Sequence, residues 1–71
     1  MDTIKALSIL RHQSERHPST LTARELTRKY NIKFKTEFNW HEASIILDQA
    51  HQYGLIRVAG CDLSGMRIYR F

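Results

Sequence analysis

The stretch from Asn39 to Ala59, NWHEASIILDQAHQYGLIRVA, carries a helix start, a helix stop and a strand in unbroken succession. It limits what the rest of the chain can fold into. Asn39 suits an N-cap and Glu42 stands three residues on, the spacing of a capping box. Phe38 before the cap and Ala43 after it add the pattern of a hydrophobic staple. Ala43, Ile46, Leu47 and Ala50 fall within about one third of the helix circumference at 100° per residue, so they form the inward stripe. Gly54 suits the C′ position, where a positive φ is needed, and Leu55 can pack back on Ala50 as in a Schellman ending. These signals predict a helix over 39–53. A start at Thr36 would add almost a turn; Asn39 is preferred.

A hairpin comes next along the chain. Leu55 to Ala59 reads as a strand with Arg57 in its middle, and Met66 to Phe71 as a second with β-branched and aromatic residues alternating with arginines. Gly60 to Gly65 is the loop between them. No crossover fits in six residues, so the strands (about 55–59 and 66–71) must pair antiparallel.

The N-terminal half is built to pack on that helix. Ile4, Leu7 and Leu10 recur at helical spacing, widened by Ala6 and Ile9, with Asp2 or Thr3 as cap. Pro18 ends this helix near Arg16 or His17, giving a span of about 3–16. Thr22 and Glu25 form a capping box, and Leu21 and Leu26 a staple, at the start of a second helix over 22–30. Its inward residues are Ala23, Leu26 and Tyr30. The link from Asn31 to Phe38, with alternating Lys33, Phe34 and Lys35, reads as partly extended.

The fold class expected is therefore α+β, a three-helix bundle followed by a two-stranded antiparallel hairpin in a single domain of 71 residues. One cysteine, Cys61, points to an intracellular, cytoplasmic chain rather than a disulfide-stapled secreted one. No apolar run approaches membrane-spanning length, so no membrane partner is expected. Eleven Lys and Arg against seven Asp and Glu give a net charge of +4, a mild argument for a polyanionic partner.

Three helices and a hairpin in this order resemble a winged helix-turn-helix domain. The resemblance rests on Leu21-Thr22-Ala23-Arg24-Glu25-Leu26, which looks like the opening of that superfamily's second helix. It rests also on Ile46-Leu47 through Tyr53-Gly54-Leu55-Ile56-Arg57, which looks like the end of its third helix meeting the wing. Thr20-Leu21 would then be a short strand pairing with the wing. The pattern covers nearly the whole chain. One departure is the connection from Tyr30 to Asn39, which is longer than the tight turn of a plain helix-turn-helix.

The resemblance implies that the third helix enters the major groove of double-stranded DNA and that the wing meets its backbone. Basic side chains hold phosphates, and polar groups near the helix start reach base edges. The candidates for base edges are Thr36, Asn39, His41 and Ser44. Asn39 has the competing role of a cap. Trp40 can stack on a sugar or pack in the core, and the core is the commoner place for an aromatic in a small domain. Candidate phosphate contacts are Arg24, Arg28, Lys33, Lys35 and Arg67, with Arg57 as a further one; Arg11 and Arg16 fall on another side.

The outward face of the third helix, His41, Ile45, Asp48 and Gln52, is not strongly basic. Asp48 would be repelled by phosphates unless it lay past the groove or accepted from a cytosine amino group. That face suits shallow DNA contact through the helix start, and it equally suits protein. Two functions compete: sequence-specific DNA binding by a small transcriptional regulator, and a protein-binding adaptor without DNA contact. RNA binding draws on the same charges and ranks below both. A homodimer or a protein partner would use the first helix or the Ile45/Asp48 face. The carboxylates are scattered, no nucleophile–base grouping is visible, and His12, His17, His41, His51 and Cys61 lack metal-ligand spacing. Neither catalysis nor a cofactor is expected.

Overall fold

A computed structural model describes residues 1–15 and 20–71. The elements run in the order α1 (Thr3–Ser14), β1 (Thr20–Thr22), α2 (Ala23–Phe34), α3 (Trp40–Gln52), β2 (Arg57–Cys61) and β3 (Arg67–Arg70). The chain is thus α+β, three helices with a three-stranded antiparallel sheet. The sheet order is β1-β3-β2, so the last strand in sequence is the central one.

Asp2 caps α1 by accepting from the Lys5 amide at 3.0 Å. Its buried face is Ala6, Ile9, Leu10 and Gln13: of the expected stripe Ala6, Ile9 and Leu10 are buried, whereas Ile4 and Leu7 are exposed, Ile4 by 80%. The helix is rotated because Gln13 is drawn inward. Its amide donates to the Thr20 carbonyl at 3.2 Å, and its oxygen accepts from Lys29 at 3.0 Å, which ties α1 to β1 and α2. α1 ends at Ser14, short of the predicted 16; the Pro18 stop lies outside the described residues.

α2 opens at the expected cap, with the Glu25 carboxylate on the Thr22 hydroxyl rather than on the Thr22 amide that a full capping box uses. The Thr22 hydroxyl accepts from the Glu25 amide at 3.3 Å and donates to the Glu25 carboxylate at 3.4 Å, while Leu21 and Leu26 are fully buried. The helix then continues four residues past Tyr30, correcting both the predicted end and the partly extended 31–38 link. Phe34 falls one turn beyond Tyr30 and packs on its ring at 4.7 Å, an i,i+4 contact that rewards another turn. Lys35 stops the helix in the left-handed region, φ 55° and ψ 49°.

The connection to α3 is held by one side chain. The Asn31 carboxamide accepts from the Thr36 hydroxyl at 2.8 Å and the Phe38 amide at 3.0 Å, and donates to the Phe38 carbonyl at 2.9 Å. Phe38 is thereby set edge-on to Tyr30 at 5.7 Å. Asn39 caps α3 through the His41 amide at 3.0 Å. Glu42 does not complete a capping box, because its carboxylate takes the Met1 amine at 2.9 Å instead. At the far end Leu55 N–H bonds to the Ala50 carbonyl and Gly54 N–H to that of His51, both 3.0 Å, which is the Schellman pattern, with Gly54 at φ 75°.

The first strand of the hairpin is displaced from its predicted limits, whereas β3 falls within the predicted 66–71. Leu55 and Ile56 precede β2, and Gly60 and Cys61 belong to it rather than to the loop. An extra residue at Ala59 bulges the ladder between Val58–Tyr69 and Gly60–Ile68. The turn is consequently tight. Gly65 N–H bonds to the Asp62 carbonyl at 3.0 Å and Asp62 N–H to that of Met66 at 2.9 Å. Asp62 Oδ1 accepts from the Ser64 amide, the Ser64 hydroxyl and the Met66 amide at 2.6–3.0 Å. Asp62 takes the first position of this four-residue turn and Gly65, at φ 84°, the fourth.

The core joins Ala6, Ile9 and Leu10 of α1 to Leu21, to Ala23, Leu26 and Tyr30 of α2, to Ala43, Ile46, Leu47 and Ala50 of α3, and to Ile56 and Tyr69. No helix among the described residues is long and apolar enough to cross a membrane.

Candidate nucleic-acid interface

Helical periodicity sorts the basic residues of α2. Its buried stripe is Ala23, Leu26, Thr27 and Tyr30. Arg24 and Arg28 lie one turn apart along one edge of the exposed side, whereas Lys33 is about 180° from Arg24 at 100° per residue. The opposite edge faces α1: Lys29 bonds to Gln13 there, and Lys33 and Lys5 both lie over the Phe34 ring, at 5.6 and 5.0 Å. Arg24 lines a cleft with α3 and the hairpin instead, and Arg28 lies one turn along from it.

Sheet parity sorts the arginines of the hairpin. Along β3, Arg67 and Tyr69 point to one face and Ile68 and Arg70 to the other. The Tyr69 face is the α3 side, because its hydroxyl donates to Asp48 at 2.7 Å. Arg57 is paired with Arg70, as is Thr20, so Arg57 lies on the far face from Arg67.

These placements leave a shallow cleft of about 340 Å³ between the start of α2, α3 and the hairpin turn. Arg24, Trp40, Ser44, Asp48, Met66 and Arg67 line it. Trp40, Ser44 and Asp48 are successive turns of α3, so the helix lends the cleft a continuous wall. Trp40 is not in the core as its residue type suggested. It is 38% exposed and stacks on His41, ring centroids 3.9 Å apart.

The other candidates divide clearly. Arg28 lies beside Arg24, outside the lining. Lys33 belongs to the α1 side, Arg57 to the outer sheet face, and Lys35 is the exposed C-cap of α2. Thr36 and Asn39 are committed locally, Thr36 to the Asn31 side chain and Asn39 to the His41 amide. Ser44 and His41 remain on or beside the cleft.

The electrostatics of the cleft are balanced rather than simply basic. Arg67 Nη1 is 3.6 Å from Asp48 Oδ1, both side chains about half exposed. The hydrogen bond from the Ser64 hydroxyl chiefly, opposed by partial desolvation and aided by the Met66 and Ser64 amides and the charge of Arg24, holds the Asp62 carboxyl below its ordinary value. Tyr69 is pushed the other way. Burial first, then its bond to Asp48, raise the phenol above its ordinary value.

Two residues that govern this geometry carried no signal in the sequence. Asn31 sets the approach to α3, and Tyr69 orients Asp48; both act across distances that periodicity does not see. An apolar groove of about 450 Å³ lies elsewhere, between Leu7, Leu10, Ala50, Leu55, Ile56 and Phe71. Among the described residues no three His, Cys, Asp or Glu side chains are grouped to hold a metal ion, and Cys61 is an exposed free thiol. Compared with models of known families, with curated proteins and with solved structures, the chain finds no match in any of the three.

Proposed function

We propose that the chain is a winged-helix protein that binds double-stranded DNA, with α3 presented to the groove and the β2–β3 hairpin as its wing. The observation that carries this reading is the convergence of Arg24, Trp40, Ser44 and Arg67 from α2, α3 and the hairpin on one cleft. Guanidinium groups on two sides suit backbone phosphates, and the aromatic and hydroxyl groups between them suit sugar and base edges. Arg28 extends the basic edge. A regulator of transcription is the role such binding would serve. A domain this small covers few base pairs, so useful affinity calls for a second copy or a partner protein.

The test is duplex binding titrated against salt. The logarithm of the binding constant should fall by about 0.9 per phosphate contact for each unit of log salt, with Arg24, Arg28 and Arg67 supplying about three contacts. Arg24→Ala and Arg67→Ala should each flatten that slope by about one, and Lys33→Ala should not. Duplex binding that ignores salt would sink the reading.

A protein-binding adaptor is supported by a different observation: Ile45 is 59% exposed in the middle of the α3 face. Ile45→Asp separates the two. Loss of a partner protein with duplex binding intact would favour the adaptor.

A further inference from the structure

The outward face of α3 carries its charge in an unexpected place. At 100° per residue Asp48 lies about 20° from His41, about 40° from Gln52 and about 60° from Ile45, all to one side of it, so it stands at the edge of the exposed stripe that borders the cleft. A carboxylate there opposes the approach of phosphates. It is also held in position. The Tyr69 hydroxyl donates to Oδ1 at 2.7 Å, and Tyr69 is itself 2% exposed on the central strand, so the direction of that bond is set by the core. The same Oδ1 is 3.6 Å from Arg67 Nη1.

We infer that Asp48 is a specificity-determining residue, an internal counter-ion that occupies Arg67 and weakens binding to duplexes of arbitrary sequence. This rests on the DNA-binding reading above. The other carboxylates around the cleft and α3 are engaged differently. Asp62 is bound into the hairpin turn, Glu25 accepts from the Thr22 hydroxyl, and Glu42 takes the Met1 amine. Asp48 alone among these shares an oxygen between a core hydroxyl and a cleft arginine.

The exchange follows from the chemistry. The Asp48–Arg67 pair is half exposed, and an ion pair in that setting is weak, so a backbone phosphate can take Arg67 from it. Asp48 is then left against the DNA with a charge and no cation. An ionised carboxylate only accepts hydrogen bonds. In the major groove cytosine N4 and adenine N6 offer donors, whereas guanine O6 and N7 and thymine O4 offer acceptors. A site that places an amino group under Asp48 satisfies it, and a site that places a carbonyl there repels it. The residue thus lowers affinity for most sequences and spares a few.

The experiment measures binding of the intact chain to random-sequence duplex between about 50 and 200 mM salt. Asp48→Asn keeps an oxygen for Tyr69 and removes the charge. It is expected to bind random duplex about five- to tenfold tighter at an unchanged salt slope, because Arg67 passes to its phosphate without leaving an unpaired carboxylate behind. Arg67→Ala in the same chain should abolish the gain. Glu15→Gln, at the C-cap of α1, changes net charge equally and should give no such gain. If Asp48→Asn melts below the assay temperature, Asp48→Gln serves in its place. An Asp48 variant that binds like the parent, or no better than Glu15→Gln, overturns the inference while salt-dependent binding by the parent upholds the DNA reading. A parent with no salt-dependent duplex binding overturns both.

Discussion

The Tyr69 hydroxyl donates to Asp48 Oδ1 across 2.7 Å, joining the centre of the sheet to the exposed face of α3. Removing it in Tyr69→Phe should cost about 1 kcal/mol, since Asp48 is half exposed and regains water as a partner. Burial of the phenol, reinforced by this bond, predicts an alkaline limit. The folded phenol titrates above its ordinary 10.0, so between that value and the folded pKa the unfolded chain holds fewer protons than the native one. Stability is therefore full below pH 10 and falls as pH rises through the folded pKa. Tyrosinate absorbance should show one phenol titrating late, and Tyr69→Phe should remove that late step; its persistence in the variant would contradict the assignment.

At the hairpin tip the sign is reversed. The Asp62 carboxyl is held below its ordinary 3.8, chiefly by the Ser64 hydroxyl, so its contribution is present above that value and lost as pH falls through the folded pKa. The Ser64 and Met66 amide resonances should report this titration, and Ser64→Ala should move its midpoint upward. Amides that stay unchanged through strong acid would argue against the turn described.

Asn31 makes three side-chain hydrogen bonds to the segment that leads into α3. Asn31→Ala should destabilise the fold by about 2 kcal/mol, read as a shift in denaturant midpoint at constant m-value. It should also speed amide exchange in the first turn of α3. A midpoint within error of the parent would show the link to be set by Phe38 packing alone.

Gly54 sits at φ 75°, and a Cβ placed there meets nothing within 4 Å. The cost of Gly54→Ala should thus be backbone strain alone, about 1 kcal/mol, with no change in the packing of Leu47 or Ile56. A loss several times larger would mean that the Schellman ending had come apart.

Features legible in the sequence were those written in adjacent residues. Thr22 with Glu25, Asn39 as a cap and Gly54 as a stop each depend on groups within a turn of one another. The errors arose where a distant partner decided. α1 turned its Ala6-Ile9-Leu10-Gln13 face inward because Gln13 finds Thr20 and Lys29, and a buried glutamine breaks an apolar pattern. α2 ran on to Phe34 because Asn31, which reads as a loop residue, reaches forward to Phe38 from within the helix. The candidate site divided for the same reason. Arg24 and Arg67 line one cleft although they stand 43 positions apart in sequence, whereas Lys33 and Arg57 are parted from it by helix phase and strand parity.

The strand order β1-β3-β2 has a consequence for synthesis. Both β1 and β2 pair only with β3, which is made after them, so neither edge acquires its ladder until Arg67–Arg70 has left the ribosome. A nascent chain halted in the hairpin turn would hold three helices and no sheet, with Leu21 lacking its partner Tyr69. Folding of the sheet is therefore a late and nearly all-or-none event, and a truncation just before Arg67 would remove every strand pairing at once.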